Sequence, residues 1–158
     1  YTLTGEEIKN LFESAVSDFH NFDDNALQKK INNIQLSNAS NDLKGKIAML
    51  EKLIQKPTFL TMKTNYEYRD VMRDPLLYSN CYVLWRGKVT NVSVGADKIT
   101  LDFLVGYENE TVLQGIIYTE IPFEASINQT VPIEILGKIE NRNGKFILNA
   151  SSIRPIID

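Results

Sequence analysis

The stretch Tyr82–Val94 constrains this chain more than any other. Val83, Trp85, Gly87 and Val89 alternate there with Leu84, Arg86 and Lys88. Alternation at period two puts the first set on one face of a β-strand and the second set on the other. A glycine in mid-strand has no side chain to pack, so Gly87 marks a bend of the kind a long strand needs to curl into a barrel. Just upstream, residues 66–72 have the pattern of a short helix. Asp74 and Pro75 then make a corner. Asp74 suits a helix cap, and Pro75 suits the first residue of one further turn through Tyr78.

Four more strands are predicted downstream. Residues 95–97 are a turn, and residues 98–105 alternate Ile99, Leu101, Phe103 and Val105 against Lys98, Thr100 and Asp102. A polar loop at 106–110 leads to a third strand at 111–119. Residues 122–129 are a brief connection with no long helix. A fourth strand at 130–140 points Val131, Ile133, Ile135 and Ile139 inward, and Asn141-Arg142-Asn143-Gly144 is a hairpin turn into a fifth at 145–153. Five strands, a bent first strand and short hairpins fit a closed or nearly closed barrel better than a sandwich. The OB-fold is the five-stranded barrel of this size.

The residues before the barrel have helical spacing instead. Thr4 and Glu7 fit a capping box, and Ile8, Leu11, Phe12, Ala15, Val16 and Phe19 follow as an amphipathic stripe. Asp23 or Asp24 can cap a second helix carrying Leu27, Ile31 and Ile34. After a polar break at 37–42, a third helix from about Asn41 puts Leu43, Ile47, Leu50, Leu53 and Ile54 on one face, until Pro57 stops it. Three such helices predict a small bundle or hairpin over residues 1–56. A unit of that size has little core of its own. It is expected to pack on the barrel or on another copy of itself, as a homo-oligomer. The fold class is therefore α+β: a small N-terminal helical bundle, then a five-stranded OB-fold β-barrel in residues 57–158 with a helical lead-in at 66–78.

Charge and composition narrow the function. The 158 residues carry a formal net charge of -3, with one histidine and one cysteine. Residues 1–56 hold seven lysines against eight acids, and the rest holds ten basic residues against twelve acids, so neither part concentrates positive charge for phosphate. One cysteine permits no internal disulfide, and one histidine with one cysteine is a poor basis for zinc. His20 falls at the end of the first helix, where a cation suits the helix dipole. Cys81 enters a strand as a small packed hydrophobe. No Gly-x-Ser-x-Gly, His-Glu-x-x-His or phosphate-loop pattern occurs. No catalytic residue, metal site or cofactor is expected, and the chain is not read as an enzyme.

Two segments carry a likeness to a known family. Tyr68-Arg69-Asp70-Val71-Met72-Arg73-Asp74-Pro75-Leu76-Leu77-Tyr78 is followed by Val83-Leu84-Trp85-Arg86-Gly87-Lys88-Val89. The closing piece is Val131-Pro132-Ile133-Glu134-Ile135-Leu136-Gly137-Lys138-Ile139, then Gly144-Lys145-Phe146. Together they resemble the bacterial OB-fold proteins called tRNA-anticodon-binding-like, many of which are described as lipoproteins or membrane-anchored proteins. The resemblance covers residues 66–156 and implies an OB-fold with no catalytic residue to carry over. With Tyr1 rather than Met at the first position, it also implies an extracytoplasmic bacterial protein with a membrane anchor upstream; a cytoplasmic location is the alternative.

A non-catalytic binding or assembly module follows, with a protein, peptide or glycan as partner. The alternative is a single-stranded nucleic-acid binder, which the acidic balance disfavours. Such binders place basic and aromatic residues on the outer face of the first three strands. The candidates there are Arg86, Lys88, Tyr107 and Tyr118. Trp85 alternates with the inward set and is expected in the core.

Overall fold

The computed structural model describes residues 1–157. The elements run α1 (Gly5–His20), α2 (Asp24–Leu36), α3 (Asn41–Glu51), α4 (Tyr68–Arg73), a 3₁₀ turn (Pro75–Tyr78), β1 (Tyr82–Val94), β2 (Ile99–Val105), β3 (Gly115–Ile121), β4 (Ile133–Arg142) and β5 (Lys145–Pro155).

The caps of the first two helices are among those expected, and the third helix is capped by Ser40. The Thr4 hydroxyl accepts from the Glu7 N–H at 3.1 Å, and the Glu7 carboxylate accepts from the Thr4 N–H at 2.9 Å. Asp23 caps α2 through the Ala26 N–H, and Ser40 caps α3 through the Leu43 N–H. The apolar stripes converge on a core of Ala15, Leu27, Ile31, Ile34 and Ile47. The third helix, however, ends at Glu51 rather than at Pro57. The Asp24 carboxylate accepts from the Gln55 N–H at 2.9 Å, which takes the chain off the helical path. Leu53, expected on the apolar stripe, is exposed as a result.

The strands close into a barrel in the order β1-β2-β3-β5-β4, with β4 returning to β1. Tyr82–Gly87 of β1 pairs with β4, and the part from Gly87 onward pairs with β2. Gly87 belongs to both ladders. A Cβ there would collide with the Leu104 carbonyl, so only glycine lets the two strands approach this closely. Val83, Trp85, Val89, Phe103, Ile135 and Leu148 fill the interior. Trp85 is inward as expected, and its indole N–H donates to the Tyr66 carbonyl at 2.7 Å. The seam between β3 and β5 is a short parallel pair, Thr119 with Leu148 and Glu120 with Asn149.

Three further expectations are corrected. The third strand begins at Gly115, not Thr111, and the fourth at Ile133, not Thr130. β3 starts where the Tyr68 ring lies against Gly115, in the space a side chain would need. Asp74 does not cap the turn after it. Its carboxylate accepts from the Tyr1 hydroxyl instead. Burial, together with the hydrogen bond and charge of Asp74, pushes the Tyr1 phenol up to about 12.

Candidate ligand groove between bundle and barrel

Helix α2 carries the joint between bundle and barrel. Asn25, Lys29 and Asn32 fall at i, i+4 and i+7, so they share one face of the helix. The Asn25 amide donates to the carbonyls of Thr64 and Tyr82, both at 2.8 Å, and its oxygen accepts from the Tyr82 N–H at 2.7 Å. Asn32 donates to the Leu77 and Ser79 carbonyls. The Lys29 ammonium lies 5.4 Å from the centre of the Tyr66 ring and 4.8 Å from that of Tyr78. Asn65 repeats the Asn25 arrangement one step along β1, bonding the Leu84 carbonyl at 2.8 Å and N–H at 2.9 Å. The edge of β1 that β2 does not reach is thus closed by two asparagine side chains. An unpaired strand edge left open invites pairing with another chain.

A groove of about 800 Å³ opens beside this joint. It lies between the α1–α2 corner, the segment after α3 and the start of β1, and Phe19, Ile54 and Met62 are among its apolar lining. Phe22 stands at its rim. The end of α1 has Asn21 as cap, with the Asp23 N–H bonded to the Asp18 carbonyl and the Phe22 N–H to the Phe19 carbonyl. This pattern puts the residue after the cap in the left-handed conformation, a position glycine usually takes. Phe22 has φ 58° there and is 80% exposed. A side chain other than glycine in that conformation costs on the order of 1 kcal/mol.

The four residues picked from the sequence lie away from this groove, on the outside of the barrel. Arg86 and Lys88 both point outward from β1. The Arg86 Nε is 3.2 Å from the Glu134 carboxylate. Glu134 also accepts from Arg154, at 2.7 Å from its Nε, and the three residues stand side by side across β1, β4 and β5. The Lys88 ammonium pairs with Glu110. Tyr107 lies in the loop after β2, and its carbonyl accepts from the Glu110 N–H at 3.0 Å. The structure therefore brings Lys88 and Tyr107 to one loop cluster through Glu110. Tyr118 is on the outer face of β3, opposite Asp102, with the Lys145 ammonium 4.8 Å from its ring centre. Arg86 belongs to a separate cluster.

A second ion-pair ladder crosses the β3–β5–β4 side. Glu120 accepts from Lys98 at 2.9 Å and from Arg142 at 2.7 Å, and Arg142 also reaches Glu140 at 3.1 Å. Burial alone would raise the Glu120 pKa. The hydrogen bonds and charges of Lys98 and Arg142 outweigh it and hold the carboxyl below its usual value.

A family described as the Spirochaete C-terminal OB fold matches residues 60–154. The chain belongs to that family. A second family, described as a domain of unknown function (DUF8514), matches residues 1–51. No curated protein matches. Among solved structures, a chain of a Replication Protein A heterotrimer bound to ssDNA is 23% identical, with 49% of this chain and 58% of that chain covered and a TM-score of 0.40. The hypothetical protein ygiW from E. coli is 14% identical over 60% of this chain and 91% of that chain, with a TM-score of 0.43. The Ifi202 HINa domain in complex with 20bp dsDNA is 16% identical over 64% of this chain and 52% of that chain, with a TM-score of 0.44. The match thus spans little more than half the length of the Replication Protein A and HINa chains.

The groove of this spirochaete OB-fold protein was absent from the sequence candidates. Its walls come from segments far apart in sequence, and polar residues on a helix face read as solvated. One signal was available for the joint beside it: Asn25, Lys29 and Asn32 form a polar stripe beside the apolar one on α2.

Proposed function

We propose that this member of the Spirochaete C-terminal OB-fold family is a non-catalytic binding module that receives a partner in the groove between its helical bundle and its barrel. The groove itself carries the reading: a concavity of about 800 Å³ whose lining mixes apolar side chains such as Phe19, Ile54 and Met62 with polar ones. Concave, partly apolar sites with a few convergent polar groups are where proteins hold ligands.

The outer face of the barrel favours nucleic acid less. Its Arg86 and Arg154 are both engaged by Glu134 and its Lys88 by Glu110, and the chain as a whole is acidic. A phosphate backbone is bound by uncompensated Lys and Arg. The non-catalytic part of the reading rests on two side chains. His20 is exposed at the end of α1, and Cys81 is fully buried with its thiol pushed up to about 12 by burial. A thiol in that state supplies no thiolate nucleophile near neutral pH. The narrower kinship with the anticodon-binding-like proteins, and the anchored extracytoplasmic location that goes with it, belong to the same proposal. The sequence resemblance supports them, and fractionation of native cells tests them.

A fluorescence titration with labelled single-stranded DNA and RNA at low salt tests the choice of surface. The expected result is no binding. Micromolar binding that weakens steeply with salt and disappears in Arg86→Ala with Lys88→Ala would overturn the proposal.

A further inference from the structure

We infer that the groove takes an extended, uncharged peptide segment and that Phe22 grips an apolar side chain of that segment. The inference rests on the reading of the groove as the binding site. Three observations carry it.

The first is the placement of Phe22. Glycine at this position would relieve the left-handed backbone, and the ring it would remove is almost wholly exposed, so the fold has little use for it. A non-glycine residue held in a strained conformation on the rim of the groove has the signature of a functional position. Its ring is also held from one side, with the Lys63 ammonium 5.9 Å from its centre. A large exposed aromatic ring at the edge of a concavity is the kind of group enriched at protein interfaces.

The second is the charge of the lining. Asp23 and Asp24 are balanced by Lys56 and Lys63. Asp23 accepts from the Thr64 hydroxyl at 2.6 Å, Asp24 holds the Gln55 N–H, and Lys63 donates to the Asn21 carbonyl at 2.6 Å. Two carboxylates and two ammonium groups leave the lining with no net formal charge, so the complement is a neutral one.

The third is the pair of side-chain amides on Gln55 and Asn80. Both line the groove and are exposed, and neither amide makes a hydrogen bond among the described residues. An amide offers one acceptor and two donors, which matches the C=O and N–H groups of a peptide backbone. Asn25 and Asn65 already hold β1 backbone in this way on the same molecule.

The test uses a phage-displayed library of random peptides, panned against the full chain, with the enriched peptides then synthesised and titrated. Two variants separate the inference from the reading beneath it: Phe22→Gly removes the ring, and Gln55→Trp obstructs the groove. The expected outcome is a set of peptides with an apolar residue and few charges, whose affinity falls at least about tenfold in both variants. Over the same comparison the Tm of Phe22→Gly is equal to that of the parent or about 2–4 °C higher. Peptides that lose affinity for Gln55→Trp but bind Phe22→Gly as well as the parent would overturn the role of Phe22 and leave the groove standing. Peptides indifferent to both variants, or no enrichment, would overturn groove and anchor together. Enriched peptides of high charge whose affinity collapses in salt would overturn the neutral-segment assignment. A lower Tm for Phe22→Gly would mean that the ring serves the fold, and would overturn the inference on that ground.

Discussion

Asn25 and Tyr82 share two hydrogen bonds: the Asn25 side chain accepts the Tyr82 N–H at 2.7 Å and donates to the Tyr82 carbonyl at 2.8 Å. One side chain on α2 thus does for β1 what a neighbouring strand would do. It is also the main polar link between bundle and barrel, since the same amide donates to the Thr64 carbonyl.

Replacing Asn25 with Ala leaves the Tyr82 N–H without a partner and removes two bonds from carbonyls in a partly buried setting. The expected loss is about 2–4 kcal/mol, because an unsatisfied buried group costs more than the net worth of the bond it made. Chemical denaturation measures it. Hydrogen exchange at the Tyr82 amide adds a local readout, with faster exchange expected there.

Gly87→Ala is expected to be more damaging than an ordinary overpacking change, which costs roughly 1–3 kcal/mol. The added methyl meets the Leu104 backbone carbonyl rather than a movable side chain. At Gly115 the obstacle is the Tyr68 ring, a side chain, so Gly115→Ala is expected to be rescued in part by shortening Tyr68. No second substitution of a side chain is expected to rescue Gly87→Ala. Thermal unfolding of the single and double variants decides between these cases.

Acid sensitivity follows from Glu120. Its pKa in the fold lies below the ordinary 4.5, because the contacts with Lys98 and Arg142 outweigh the cost of burial. A carboxyl depressed in the native state contributes stability that is fully present above its unfolded value and is lost as pH falls through the folded one. Stability is therefore expected to hold steady near neutrality and to decline below about pH 4.5, with a smaller decline in Glu120→Gln. Urea midpoints across that range provide the measurement.

Cys81 is expected to be inert toward thiol reagents in the folded protein. Burial disfavours its thiolate, and the side chain has no exposed surface. Labelling with a chromogenic disulfide should proceed at the rate of global or sub-global opening and should become fast in denaturant. Rapid labelling of the native protein would show that the wall around Cys81 opens without unfolding.

Much of the architecture could be read from local pattern. Thr4 and Glu7 announced α1, Asp23 and Ser40 stand where caps belong, and the alternation of β1 put Trp85 inside the barrel. Asn143 and Gly144, both at positive φ, make the predicted hairpin turn. In each case the forces involved act between residues a few positions apart, and the period of the side chains reports the element directly. The misplaced boundaries share a different cause. The end of α3 is set by Asp24, thirty-one residues from Gln55, and the start of β3 by Tyr68 against Gly115. Asp74 gave up its capping role to a phenol seventy-three residues away.

The sequence by itself determined the two patterns of side-chain periodicity, three helices and then five strands with a glycine at the bend, and it determined the absence of concentrated positive charge. The tertiary structure decided where the bundle sits, which cations on the barrel are already matched by carboxylates, and that Phe22, an unremarked residue between two helices, stands at the rim of a groove. Periodicity is a property of neighbours along the chain. A groove, an ion-pair ladder across three strands and an asparagine closing a strand edge exist only once distant segments meet, and the polar residues that make them have the same local spacing as residues that merely face water.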